Sequence, residues 1–359
     1  MFDFVVPKRL SVSFSDDQNH PLDPTPFDPA AFEDMRQNGA FLSKWALILD
    51  AAIHYQGKHR TSTPLRVLNA ALELAPSMSH TWDGGFVCFG GDESSEFQTG
   101  STEVIGVGLA VGVATRLFGV RRNQVYVIEG TGKRLDFWIQ KGSDRYLVEA
   151  RGRKGDLQDA IRGVYSKKSA QESAQPRYGV VCHVPRNGSP ATALVVDPTN
   201  DPEPTPDYVR ARLVLEHYAR VAALAGFWRL SAQLFHRATL IVSNLSLEEA
   251  QGASIEYKNV RKLGRRMSFS LGDAGTWDVF VNADPSVGFR LSVDGHMMFI
   301  GLDRHLVDLL ELQDIHDLVD YHENVSSDKP IENDLGYFLP RDDGTLGVLL
   351  RPDVVLPAI

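Results

Sequence analysis

The sequence predicts a mixed α/β protein of the α+β kind, built from more than one domain. Three observations lead there. Between residues 101 and 184 the predicted elements run helix, three strands, helix, strand. Beyond residue 239, four strand-like segments precede a short helix. The chain, at 359 residues, is also longer than one hydrophobic core usually organises. The predicted parts are an N-terminal, partly helical extension over 1–97, a core over 98–200, a helical connector over 201–238 and a C-terminal α+β domain over 239–359.

In the N-terminal part, four prolines in residues 20–29 predict an irregular entry. Apolar residues every three to four positions predict helices over Ala40–Ile53 and Pro64–Leu74. The apolar run Gly84–Gly91, bounded by glycines, reads as a strand. Past the core, Pro185–Pro206 is proline-rich and reads as a connection, with a short strand at Ala193–Val196. Asp207–Phe227 is a helix with Val214, Tyr218, Val221 and Ala225 on its apolar stripe. The C-terminal strands are Met267–Leu271, Trp277–Val281, Phe289–Val293 and Met297–Gly301, with a helix over Arg304–Leu310.

Composition excludes several classes. Hydrophobic residues at 43% and charged residues at 23% rule out a disordered chain, a collagen-like repeat and a disulfide scaffold. Cys88 and Cys182 form no CxxC pair, which fits a reducing cytosol. The first residues do not read as a signal peptide, and the longest apolar stretch, Val104–Ala114, is about half of what spans a bilayer. A cytoplasmic protein with no membrane partner is expected. The net charge of −9 is uneven: residues 101–200 hold 15 Lys/Arg against 9 Asp/Glu, whereas both flanks are acidic. A basic middle of this kind suits a surface that meets a polyanion.

That middle is the informative part. Thr102–Phe118 is predicted helical, with Ser101 as N-cap and Glu103 in the first turn. Its glycines Gly106, Gly108 and Gly112 each cost roughly 1 kcal/mol in a helix, which makes sense if the helix lies close on a sheet. Gln124–Ile128 follows as a strand. Arg134–Gln140 and Arg145–Arg151 then form a hairpin across Gly142-Ser143, a two-residue loop that sets paired residue numbers to a sum of 285. One hairpin face carries Leu135 opposite Ala150, Phe137 opposite Val148 and Ile139 opposite Tyr146, and must be core. The other carries Gln140 opposite Arg145, Trp138 opposite Leu147, Asp136 opposite Glu149, and Arg134 opposite Arg151. Opposed carboxylates with Cβ atoms about 5 Å apart repel unless something cationic sits between them. Asp156 then starts a helix whose face is Leu157, Ala160, Ile161, Val164 and Lys168. Tyr178–Val184 closes the series as a buried strand.

This order, with an acid on the second strand and Glu-x-basic on the third, resembles the PD-(D/E)XK nuclease superfamily and its restriction-endonuclease-like αβββαβ core. The signature here is Asp136 followed by Glu149-Ala150-Arg151, and the resemblance covers about residues 101–184. It implies Asp136 and Glu149 as ligands of Mg²⁺ or Mn²⁺, with the Ala150 carbonyl as a third. Glu103 matches an additional acid that several such families use. Two departures stand in the motif: Leu135 where the family often has proline, and Arg151 where it has lysine. A guanidinium stays protonated and cannot act as a general base, so Arg151 is expected to act electrostatically. Otherwise Lys154 reaches the site, or the fold only binds.

The chemistry stands without the family. Two nearby carboxylates can hold a hydrated Mg²⁺ or Mn²⁺, and such an ion can polarise a phosphodiester and activate a water. The bases Arg134, Arg153, Lys154, Arg162, Lys167 and Lys168 are the candidate phosphate contacts. The expected function is a divalent-metal-dependent nuclease, on DNA ahead of RNA, in microbial defence or repair, with a homodimer or a protein partner compatible with it. The alternative is a catalytically silent nuclease-like scaffold that binds nucleic acid or protein. A further reading of the same acids is diagonal salt bridges with Arg151 and Arg134 on a solvated sheet face.

Overall fold

The computed structural model describes residues 6–16, 22–55, 78–80, 84–89, 95–128, 136–155, 157–170, 176–196, 203–204, 207–241, 264–272, 275–282, 290–293, 296–312, 314–321 and 330–354. These divide into two compact units, 6–205 and 206–359, each a mixture of helices and sheet. The helix expected at Pro64–Leu74 lies outside the described residues.

In the first unit the elements are β1 (Lys8–Phe14), α1 (Pro29–Asn38), β2 (Ala40–Leu42), α2 (Lys44–His54), β3 (Ser79–His80), β4 (Phe86–Val87), α3 (Ser95–Phe118), β5 (Val125–Val127), β6 (Phe137–Lys141), β7 (Asp144–Arg153), α4 (Leu157–Ala170), β8 (Arg177–His183), β9 (Thr192–Val196) and β10 (Glu203–Pro204). The main sheet runs β2-β1-β9-β8-β7-β6-β5, with β10 also paired to β7. Strands β5, β6 and β7 are antiparallel neighbours. Strand β8 returns parallel to β7 after α4, as a βαβ crossover requires.

Helices cover both faces of this sheet. On one face α3 lies so close to β7 that a Cβ on Gly106 would stand 2.4 Å from the Gly152 Cα, and a Cβ on Gly152 would stand 2.0 Å from the Thr102 carbonyl oxygen. Only glycine at both positions permits this approach, which is why a helix tolerates Gly106. Phe118 continues the contact onto Tyr146 and Tyr178, with ring centroids 5.3 Å apart in each case. Over the other face, Ala160 and Val164 of α4 join Val181 and Val196 in a buried cluster. Val164 fills the space that a side chain at Gly179 would need. Near the start of β5, Arg122 and Asp50, both essentially unexposed, pair through two contacts of 2.8 and 3.2 Å, tying the entry to β5 to α2.

Several expectations are corrected. The segment before residue 98 is no separate extension: β1 pairs in parallel with β9 across some 180 residues of sequence, and the expected break at 97/98 falls inside α3. Ala40–Leu42 is a strand, and the helix starts only at Lys44, because the Ser43 hydroxyl accepts the Ala46 N–H and caps it there. Helix α3 begins at Ser95, not after Ser101, so Glu103 lies two turns inside it and gains nothing from the first-turn dipole. Its window Ser101–Phe118, of mean hydropathy 1.3, is long and apolar enough to cross a membrane by composition, and 89% of that window is buried in the fold. Burial against α2 and β7 accounts for its apolarity.

The second unit holds α5 (Asp207–Leu224), α6 (Trp228–Leu240), β11 (Gly264–Ser270), β12 (Thr276–Asn282), β13 (Arg290–Val293), β14 (His296–Asp303), α7 (Arg304–Leu312), α8 (Ile315–Asp320), β15 (Ile331–Asn333), β16 (Gly336–Pro340) and β17 (Thr345–Leu350). Its antiparallel sheet runs β11-β12-β14-β17-β16-β15, with β13 on β14. The predicted connector helix therefore belongs to this unit, and α5 lies against α6. A buried polar knot joins α5 to the β16–β17 turn: His217 Nε2 is 3.3 Å from Asp343 Oδ2, Arg341 Nε is 3.8 Å from Asp343 Oδ1, and Thr345 Oγ donates to that oxygen at 2.6 Å.

Candidate active site

The β6–β7 hairpin sets the geometry. Gly142 takes φ of +60°, the backbone conformation that a two-residue hairpin loop asks of its first residue. Paired residues sum to 285 from Lys141↔Asp144 through Phe137↔Val148. Phe137, Ile139, Tyr146 and Val148 are all buried on the α3 face, as alternation demands.

The opposite face carries the polar residues in cross-strand rows. Tyr126, Trp138, Leu147 and Arg177 form one row, and Gln140 with Arg145 the next towards the loop. Glu149 stands beside Gly179, Arg151 beside Val181, and Arg153 beside His183. Glu149 is completely buried, and its Oε1 is 2.5 Å from Arg151 Nε, whose side chain keeps 26% of its exposure. The solvated-face reading of this carboxylate is thereby set aside: it is ion-paired, but on a covered surface.

Asp136 sits where the β6–β7 ladder ends. Its N–H donates to the Val148 carbonyl at 3.1 Å, its carbonyl accepts from Ile128 N–H at 2.9 Å, and its Oδ2 accepts from the Ala150 N–H at 3.0 Å. The carboxylate thus docks on the amide immediately after Glu149. It is Ala150's amide that faces Asp136, rather than the carbonyl expected to serve as a ligand.

The other expected residues divide. Glu103 is exposed on α3, the helix covering the sheet face opposite Glu149, and its recorded partner is the Tyr55 phenol. Burial, and then this carboxylate, push the Tyr55 hydroxyl above its ordinary range. Arg153 and Lys154 are partly exposed at the end of β7. Arg162 is exposed on α4 and pairs with Asp159, one turn earlier. Lys167 and Lys168 lie on the last turns of α4, and Arg134 lies outside the described residues. Among the described residues, no three His, Cys, Asp or Glu side chains cluster as a metal site. The donor set at Asp136 and Glu149 is two carboxylates, which fits a hydrated Mg²⁺ or Mn²⁺ that keeps several waters.

No family model, curated protein or solved structure matches the chain.

Three residues on this face were not singled out from sequence. The Arg145 guanidinium stacks over the Trp138 ring, 3.6 Å from its centroid. Gln140 is 3% exposed behind them. Arg177, 8% exposed, adds a buried cation whose ionisation burial pulls down. The hairpin pairing could have flagged Gln140 and Arg145. Arg177 joins the face only through the parallel β7–β8 register.

Proposed function

We propose that the first unit is a divalent-metal-dependent nuclease of the PD-(D/E)XK kind, with DNA as the substrate ahead of RNA. One observation carries the reading: Asp136 docks on the Ala150 amide, so two carboxylates and the Arg151 guanidinium share one edge of the β6–β7 hairpin. A carboxylate buried completely against a partly exposed arginine is a weak device for stability, because its desolvation offsets most of the attraction. Glu149 is therefore better accounted for by chemistry than by folding. The element order α3, β5, β6, β7, α4, β8 supports the same reading.

In this assignment Asp136 and Glu149 would hold Mg²⁺ or Mn²⁺, which would supply Lewis-acid polarisation of the phosphodiester and an activated water. Arg151, beside Glu149, would offer its guanidinium to the phosphate oxygens, where its permanent charge would stabilise the negative charge that develops. It moves no proton. Arg153 and Lys154, further along the same strand end, hold the flanking backbone phosphates. The role in microbial defence or repair and the cytoplasmic location extend this assignment. A homodimer would suit cutting of both strands.

The Arg151–Glu149 contact also favours a second reading, a catalytically silent scaffold in which arginine permanently neutralises the acid. Incubation of the chain with supercoiled and linear DNA, single-stranded DNA and RNA in Mg²⁺, Mn²⁺ or EDTA decides between them. The nuclease reading expects metal-dependent cleavage that Asp136→Asn abolishes. Binding that survives EDTA with no cleavage in any metal would leave the scaffold.

A further inference from the structure

Trp138, Gln140 and Arg145 make no contribution to the chemistry assigned above, yet their arrangement is unusual for a purely structural one. Gln140 Nε2 donates to the Gly142 carbonyl at 2.7 Å, which orients its amide and leaves Oε1 as the other terminus. Among the described residues, neither that buried oxygen nor the buried Trp138 Nε1–H has a hydrogen-bond partner. Leaving a buried donor and a buried acceptor unmatched is costly. Both lie on the sheet face that the Arg145 guanidinium covers, stacked 3.6 Å over the indole. Trp138 and Arg145 are themselves only partly buried, so the stack can be reached from outside.

We infer that Trp138, Gln140 and Arg145 form a nucleobase-stacking subsite for single-stranded nucleic acid, with Arg145 as a lid that the base displaces or stacks upon. The inference rests on the nuclease reading of Asp136 and Glu149. A base entering between indole and guanidinium keeps both of their flat faces occupied, and its edge brings a donor to Gln140 Oε1. Stacking on aromatic rings and on arginine planes is the usual way proteins hold unpaired bases. The position fits the carboxylates: Trp138 is two residues from Asp136, about 6–7 Å along the chain. One nucleotide of an extended strand spans that step. A phosphate at Asp136, Glu149 and Arg151 would place its neighbouring base on Trp138.

The test uses the full chain in EDTA, so that nothing is cut, with a fluorescein-labelled short oligothymidylate and a strand of equal length and charge built from abasic sugar-phosphates. The wild-type protein should bind the oligothymidylate at least about five-fold more tightly, the lower end for loss of one stacked base. Trp138→Leu should erase that preference while keeping the affinity for the abasic strand, and Trp138→Phe should retain most of it. Equal wild-type affinity for the two strands, or a preference undiminished in Trp138→Leu, overturns the subsite alone. The wild-type comparison holds whether or not Trp138→Leu folds, which its melting curve reports. Binding of neither strand removes the nucleic-acid reading and the subsite with it, whereas binding confined to an added duplex arm retains the former and rejects the latter.

Discussion

Gly106 of α3 and Gly152 of β7 meet backbone to backbone, one residue along the strand from Arg151. The contact seats the helix directly behind the site edge. It also explains a helical glycine that local propensity disfavours.

Alanine at either position should therefore destabilise the fold. A Cβ at Gly152 meets the Thr102 carbonyl and one at Gly106 meets the Gly152 backbone, and neither obstacle is a flexible side-chain end. The expected loss is about 2–3 kcal/mol, at the upper end of ordinary overpacking. Urea midpoints of Gly106→Ala and Gly152→Ala measure it. Helix propensity alone predicts the opposite sign for Gly106→Ala, a gain of about 1 kcal/mol, so a raised midpoint would reject the close contact.

Breaking the Glu149–Arg151 pair from the two sides should give unequal results. Arg151→Leu leaves a completely buried carboxylate without this partner, at an expected cost of about 2–3 kcal/mol once the partial exposure of the arginine is allowed for. Glu149→Gln leaves a neutral amide and an arginine that can turn to solvent, and should cost less. A double-mutant cycle by denaturant unfolding reads the coupling. Additive effects would mean that the two groups do not interact in solution.

The second unit should lose stability on acidification in two stages. Burial holds His217 below its ordinary range, although Asp343 pulls the other way. The unfolded chain therefore takes up a proton near pH 6.5 that the folded unit resists, and stability falls as pH drops through that value. Burial alone would raise the Asp343 carboxyl, but the Arg341 guanidinium, His217 and Thr345 hold it well below the carboxylate range. Its stabilisation is complete above about pH 4 and is lost at lower pH. Unfolding followed by the fluorescence of Trp228 and Trp277 between pH 8 and 3 measures both limbs. His217→Gln should flatten the upper limb and weaken the lower one only in part, since Arg341 and Thr345 still hold Asp343 low, and a wild-type midpoint constant from pH 7.5 to 5.5 would show that His217 is not held neutral.

Much of the first unit was legible because its signals are local. The Gly142-Ser143 loop and strict alternation specify which side chains of β6 and β7 share a face, since a one-residue slip would turn Phe137 and Ile139 out of the core. The apolar face of α4 and the buried strand β8 follow equally from short-range pattern. The parallel pairing of β1 with β9 was not legible. A three-residue strand such as β2 carries too little pattern to stand apart from the helix that follows it.

The candidate site divides along the same line. The sequence by itself determined the register from Lys141↔Asp144 to Phe137↔Val148, because period-two alternation and a two-residue turn admit no other, and the acids Asp136 and Glu149 lie one residue past that ladder. Tertiary structure decided the state of those acids. It put Asp136 on the Ala150 amide, buried Glu149 against Arg151, and left Glu103 across the sheet with Tyr55. It also brought Arg177 onto the face through the crossover strand. The physical reason is that alternation fixes the direction of a side chain, whereas its charge partners and burial depend on which distant strands and helices come to lie over it.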